Sequence, residues 1–70
     1  MNGDVCKKFA TKLQEIRLKK GLTKGQLSSR ADCDMSYIGK IERCEKFPNI
    51  KMIAKLADAL EVPVKDLFDF

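Results

Sequence analysis

Along this 70-residue chain the apolar positions recur at helical spacing in five successive stretches, and no stretch alternates with the period of two that a strand requires. The first helix is predicted over about 5–20, where Cys6, Phe9, Ala10, Leu13, Ile16 and Arg17 follow the i, i+3, i+4, i+7 rule and share one face. Gly21 stands where a glycine stops a helix, with Lys19 and Lys20 placed against the negative end of the dipole. Thr23 with Gln26 three residues on reads as a capping box for a second helix over 24–31, with Leu22 and Leu27 as its hydrophobic staple. Asp32-Cys33-Asp34 breaks that helix, and Asp34 caps a third from Met35 to about Arg43. Asn49 caps a fourth, whose buried face is expected to be Ile50, Ile53, Leu56, Ala57 and Leu60. Pro63 suits the first position of a last short helix over 63–68 presenting Val64, Leu67 and Phe68. The expected fold is all-α, five helices in one domain spanning residues 1–70.

The two short helices within 24–43 are joined by a turn of three to four residues, and twenty residues is the length of a helix-turn-helix. Leu27, Ala31, Cys33, Ile38 and Ile41 supply the apolar interior such a motif needs. Ser28 is small where the two helix backbones come closest.

Charge sharpens this picture. The net +4 is uneven: residues 1–31 hold eight Lys/Arg against Asp4 and Glu15, whereas 32–70 hold six against eight acids. A localised basic field suits a polyanion. Cys6, Cys33 and Cys44 match no zinc or disulfide spacing and there is no histidine, so free thiols in a reducing cytosol are expected, with no metal and no cofactor. Without histidine, a nucleophile with a base, or a glycine-rich phosphate loop, the chain does not read as an enzyme or a small-molecule binder. The start MNGDVCKKF has no apolar signal region and no run approaches a membrane span, so a soluble cytoplasmic protein is expected.

The stretches LQEIRLKKGLTKGQLSSRA, MSYIGKIERCEKFPNIKMIAKLADALEV and VKDLF, in that order and over about residues 9–68, resemble the phage repressor and Cro (XRE-like) helix-turn-helix family. The resemblance implies a lambda-repressor-like domain that binds double-stranded operator DNA as a homodimer and regulates transcription. Its third helix would lie in the major groove while the second crosses the backbone. Residue by residue, it implies that Met35, Ser36, Gly39 and Lys40 face the bases. It implies a phosphate contact at Lys24 that also buttresses the recognition helix, and phosphate contacts at Tyr37, Arg43 and Lys46. It also implies a partly buried ion pair between Arg17 and Glu42.

The side chains suit these roles. Lys40 can donate to guanine O6 or N7, Ser36 can donate or accept, and Met35 can cover a thymine methyl. Bland readings stand beside them: Met35 as core filler, Lys40 as a solvated charge, Gly39 as merely tolerated, Tyr37 as partly buried core. Two positions depart from the family pattern. Asp32 and Cys44 stand where glycine is usual, and the poor tolerance of cysteine for a left-handed backbone leads us to expect a different end to the third helix.

One recognition helix reads too few base pairs to find an operator, so two half-sites and a dimer are expected. Val64, Phe68 and Phe70 crowd the final seven residues and are assigned to the dimer interface, with Phe47 as a rim and Leu67 in the core. The alternative is that Phe68 and Phe70 fold back onto their own domain. Small regulators of this kind include phage and mobile-element repressors and the controller proteins of restriction–modification systems. The competing function is a protein-interaction module of the antitoxin or bridging-factor type.

Overall fold

Three of the helices begin at a side chain that satisfies backbone donors the helix itself leaves open. In the computed structural model, which describes residues 2–70, the elements are α1 (Asn2–Lys19), α2 (Lys24–Arg30), α3 (Met35–Glu42) and α4 (Ile50–Leu60), followed by a 3₁₀ helix (Val64–Phe68). The Thr23 hydroxyl accepts from Gln26 N at 3.0 Å while Gln26 Oε1 accepts from Thr23 N at 2.8 Å, completing the capping box. Asp34 Oδ1 accepts from Ser36 N at 3.1 Å and Asn49 Oδ1 from Met52 N at 2.8 Å, so α3 and α4 start where a short polar side chain can cap them.

Among the described residues the fold is all-helical, with the expected count of five helices resolving into four α-helices and one 3₁₀ helix. Five residues close few i→i−4 bonds, and the tighter i→i−3 pattern satisfies more of so short a segment: Asp66 N donates to Pro63 O at 3.0 Å. Pro63 itself is the N-cap, in extended conformation, rather than the first helical residue. α1 starts earlier than its apolar pattern indicates and already includes Asn2.

The apolar stripes converge on one core: Phe9 and Leu13 from α1, Leu27 from α2, Ile38 and Ile41 from α3, Leu56 and Leu60 from α4, and Leu67 from the 3₁₀ helix are each at most 1% exposed. Ile50, expected on the buried face of α4, is 79% exposed. As the first residue of its helix it projects past the core that Ile53, one turn on, reaches. No helix among the described residues is long and apolar enough to cross a membrane.

All four α-helices end the same way. Just beyond each helix an amide reaches back five residues to form a six-to-one bond: Leu22 N to Arg17 O (3.0 Å), Cys33 N to Ser28 O (2.9 Å), Glu45 N to Lys40 O (2.8 Å) and Val62 N to Ala57 O (3.0 Å). The residue before each of these amides is left-handed: Gly21 (φ 74°), Asp32 (φ 57°), Cys44 (φ 61°) and Glu61 (φ 60°). The expectation that α3 would end differently at Cys44 is therefore overturned. The two amides following Arg43 bond Ile41 O and Lys40 O, and that closure holds a side chain where glycine would cost nothing.

A non-glycine residue in this conformation costs about 1 kcal/mol or more. Cys44→Gly should therefore raise the stability by about 1 kcal/mol, seen as a higher denaturation midpoint with an unchanged slope. Cys44→Ala, which keeps a Cβ, should give no such gain. A Cys44→Gly protein less stable than the parent would show that packing of the thiol outweighs backbone strain.

Candidate nucleic-acid interface

The outward side of α3 is fixed by what its inward side must bury. Ile38 and Ile41 are sealed in the core, and rows four residues apart on the opposite side carry Met35, Gly39 and Arg43, with Ser36 and Lys40 alongside. Met35 is 57% exposed, and Ser36, Lys40, Arg43 and Lys46 are exposed with it. Together with the half-buried Lys24 at the start of α2, these residues place three lysines and an arginine around the outward side of α3.

Local packing sets α2 against α3. Ser28 is buried and donates from Oγ to Gly25 O at 2.8 Å, which keeps its hydroxyl satisfied between the helices. A Cβ on Gly25 would stand 3.4 Å from Met35 Sδ, so the absent side chain lets Met35 lie against the first turn of α2. Met35 is thus neither core filler nor free-standing: it rests on α2 and shows its remaining surface to solvent.

Two sequence-assigned positions sit differently from the exposed set. Tyr37 is half-buried and packs against the core cluster. Gly39 is buried although it lies on the outward side, because the Arg43 guanidinium covers it: a Cβ there would meet Arg43 Nη1 at 3.0 Å. Arg43 is in turn held by Glu45, Nε donating to Oε2 at 2.7 Å and Nη2 to Oε1 at 3.3 Å. This hydrogen bonding keeps the Glu45 carboxyl below its ordinary range and raises Arg43 above its own. Sequence reasoning missed Glu45. The pair spans only two residues after a helix end, and it exists because left-handed Cys44 brings Glu45 back beside Arg43.

Behind this surface lies an ion pair that fixes its orientation. Arg17 Nε donates to Glu42 Oε2 at 2.8 Å and Nη2 to Oε1 at 3.2 Å, with the two side chains only 7% and 4% exposed. Arg17 Nη1 donates to Leu22 O at 2.8 Å, so one guanidinium ties the end of α3 to the α1–α2 turn. None of the buried side-chain nitrogen or oxygen atoms among the described residues lacks a partner.

The C-terminal residues assigned to a dimer face are partly exposed: Val64 42%, Phe68 37% and Phe70 53%, with Phe47 at 48%. They also touch their own chain. Phe9 has Phe47 at 5.1 Å and Phe68 at 5.2 Å between ring centroids, Phe70 lies 6.3 Å from Phe68, and Lys8 Nζ stands 5.8 Å over the Phe70 ring. Cys6, Cys33 and Cys44 are free and half-buried. The Cys6 thiol sits beside that of Cys44, and their hydrogen bond raises its pKa; burial does the same for Cys33. Among the described residues no three His, Cys, Asp or Glu side chains gather as a metal site would need.

A family model described as helix-turn-helix matches residues 13–67. The control protein C.BamHI of Bacillus amyloliquefaciens is 34% identical over 71 aligned positions, which span 100% of this chain and 88% of that protein. The crystal structure of the restriction–modification controller protein C.AhdI from Aeromonas hydrophila superposes with a TM-score of 0.88 at 36% identity, covering 90% of this chain and 96% of that one. The controller protein C.Esp1396I superposes with a TM-score of 0.86 at 31% identity, covering 93% and 84%.

Removing one partner of a buried, hydrogen-bonded ion pair leaves the other desolvated, at about 3–5 kcal/mol. Arg17→Met and Glu42→Gln should each destabilise on that scale. The double-mutant cycle should return a coupling above about 1 kcal/mol. A coupling near zero in denaturant unfolding would mean that neither charge depends on the other.

Proposed function

Because this chain belongs to the helix-turn-helix family, we propose that it is a sequence-specific double-stranded DNA-binding regulator of transcription. Its recognition helix is α3, and it acts in the cytoplasm as a homodimer on a two-fold symmetric operator. The observation that carries this reading is the outward side of α3 itself. Met35, Ser36 and Lys40 stand exposed in two adjacent turns of a helix whose other side is sealed into the core. A major groove accepts a helix presenting a thymine-methyl cover, a hydroxyl and a guanine donor. Lys24 and Lys46 would contact the phosphates of the groove walls and anchor the helix without reading sequence.

Likeness to C.BamHI, C.AhdI and C.Esp1396I along nearly the whole chain supports the controller type among small regulators, tied to a restriction–modification system. The dimer contact we assign to Val64, Phe68, Phe70 and Phe47. Their partial exposure after folding leaves apolar surface that a second copy would cover. Phe68 serves both sides, since its ring also rests on Phe9.

Binding to a selected palindromic duplex should fall steeply with salt, because each neutralised phosphate releases counterions. Lys40→Ala and Ser36→Ala should change the preferred bases at a cost of about 1–3 kcal/mol on the best site, and Lys24→Ala should weaken all duplexes alike. A Lys40→Ala protein with its full base preference would show that α3 does not lie in the groove as assigned. Absence of any duplex binding would favour a protein-interaction role.

Self-association is tested separately. The parent chain should sediment as a concentration-dependent dimer in the micromolar range, and a Val64→Asp, Phe70→Asp variant as a folded monomer. A parent that stays monomeric at high micromolar concentration would confine dimerisation to the DNA.

A further inference from the structure

Gly39 occupies the middle of the outward side of α3, a position from which a side chain would reach toward the bases, yet it has none to offer. The space is filled. The Arg43 side chain turns back along the helix toward its N-terminus, as long helical side chains do, and lays its guanidinium over Gly39. A Cβ at position 39 would meet Nη1 at 3.0 Å, Cζ at 3.8 Å and Nη2 at 3.9 Å.

The guanidinium is also held in plane. Glu45 takes its Nε–Nη2 edge at 2.7 and 3.3 Å. Glu45 is placed by the chain reversal at left-handed Cys44 (φ 61°) and by its own amide bond to Lys40 O at 2.8 Å. With one edge taken by the carboxylate, the Nη1–Nη2 edge still carries two parallel N–H groups that no acceptor among the described residues engages. That edge is the fork that matches guanine O6 and N7.

We propose that Arg43 is a base-reading residue that stands in for the side chain Gly39 lacks, giving its Nη1–Nη2 edge to a guanine, with Glu45 as the residue that positions it. The inference rests on the reading of α3 as the helix that enters the groove. It departs from the phosphate role implied by family resemblance, and the charges give the reason. A guanidinium already neutralised by a carboxylate gains little from a phosphate, and Glu45 repels the same phosphate. Guanine presents neutral acceptors, for which the direction of the two N–H groups decides the outcome. Glu45 further disfavours arbitrary duplex, whose attraction is mostly backbone charge, and so widens the ratio of specific to nonspecific binding. Gly39 is the third part of the device, since a methyl group there would meet Nη1 at 3.0 Å and shift the guanidinium by a few tenths of an ångström, enough to misdirect its fork.

Selection from a random duplex pool, run with the parent and with Arg43→Ala, Arg43→Lys, Glu45→Gln and Gly39→Ala, tests all three parts. The parent should enrich one guanine per half-site that Arg43→Ala reduces to near parity, a loss of about tenfold in discrimination at that position with the others kept. Arg43→Lys, lacking the fork, should recover only part of it. Glu45→Gln should lower discrimination at the same guanine several-fold while binding unrelated duplex more tightly than the parent. Gly39→Ala should fold at least as stably and still lose discrimination there, an outcome that a merely structural Arg43 would not produce. Enrichment by the parent with an equal loss at every position in Arg43→Ala would overturn the base-reading role and leave the regulator reading standing. Unchanged discrimination in Glu45→Gln would overturn the positioning role. A parent that enriches no sequence would overturn the reading of α3 itself, and this inference with it.

Discussion

One guanidinium inside the molecule sets where everything else can go. Arg17 is 6% exposed, and a buried charge is tolerated only when its donors are met. It meets Glu42 at the last residue of α3 and Leu22 O in the α1–α2 turn, so the guanidinium and its partners join three segments that the chain must bring together at once. Leu22 is also the residue whose amide closes the end of α1 on Arg17 O. Arg17 thus supplies a carbonyl to terminate its own helix and a side chain to fix the entry into the next. The Thr23 cap of α2 comes one residue later. The angle of α3 relative to α1 is set by a hydrogen-bonded network rather than by apolar contact alone, which tolerates sliding.

The helix ends carry the second constraint. Three of the four left-handed closures use Asp32, Cys44 and Glu61 where glycine would be free of strain. Each turns the chain back across the end of its helix, and each sets the position of the next element. Asp32 precedes the Asp34 cap that starts α3, Cys44 places Glu45 beside Arg43, and Glu61 directs the chain to Pro63 and the 3₁₀ helix. A chain of this size buries only about 60% of its unfolded surface, so strain of this order is a large fraction of the net stability. Phe68 rests on Phe9 within the chain, and a second copy over the same surface, as proposed, would add to the stability by mass action.

Range decided which features were legible in the sequence. The caps at Thr23, Asp34 and Asn49 and the stop at Gly21 are local, and they stand in the structure as the residue pattern indicates. The i, i+3, i+4 stripes likewise identified most of the core, but Ile50 is exposed, Cys6, Ile16 and Cys33 are only half-buried and the buried Ala59 was not anticipated, because periodicity assigns a face but not how far its partner extends. The Arg17–Glu42 pair was accessible only through resemblance, since 25 residues separate its members. The burial of Gly39, the Arg43–Glu45 pair and the contact of Cys6 with Cys44 were not accessible at all. The first two depend on a backbone reversal at a cysteine, a residue type that disfavours it.

Arg17 and Arg43 use the same chemistry in opposite proportions. Arg17 commits its Nε, Nη1 and Nη2 to protein acceptors and is sealed from water, and that complete use is what makes it a structural fastener. Arg43 commits only Nε and Nη2, to a single carboxylate, and remains 54% exposed. Both contacts are geometrically two-pronged, and both fix the plane of a guanidinium whose five N–H groups cannot turn independently. In the buried case no direction is left over for a ligand. In the exposed case the carboxylate fixes the plane and leaves the outer fork open, on a helix whose own orientation Arg17 has already settled. The proposed recognition by α3 would therefore rest on two stages, the inner ion pair holding the helix and the outer one holding a side chain upon it.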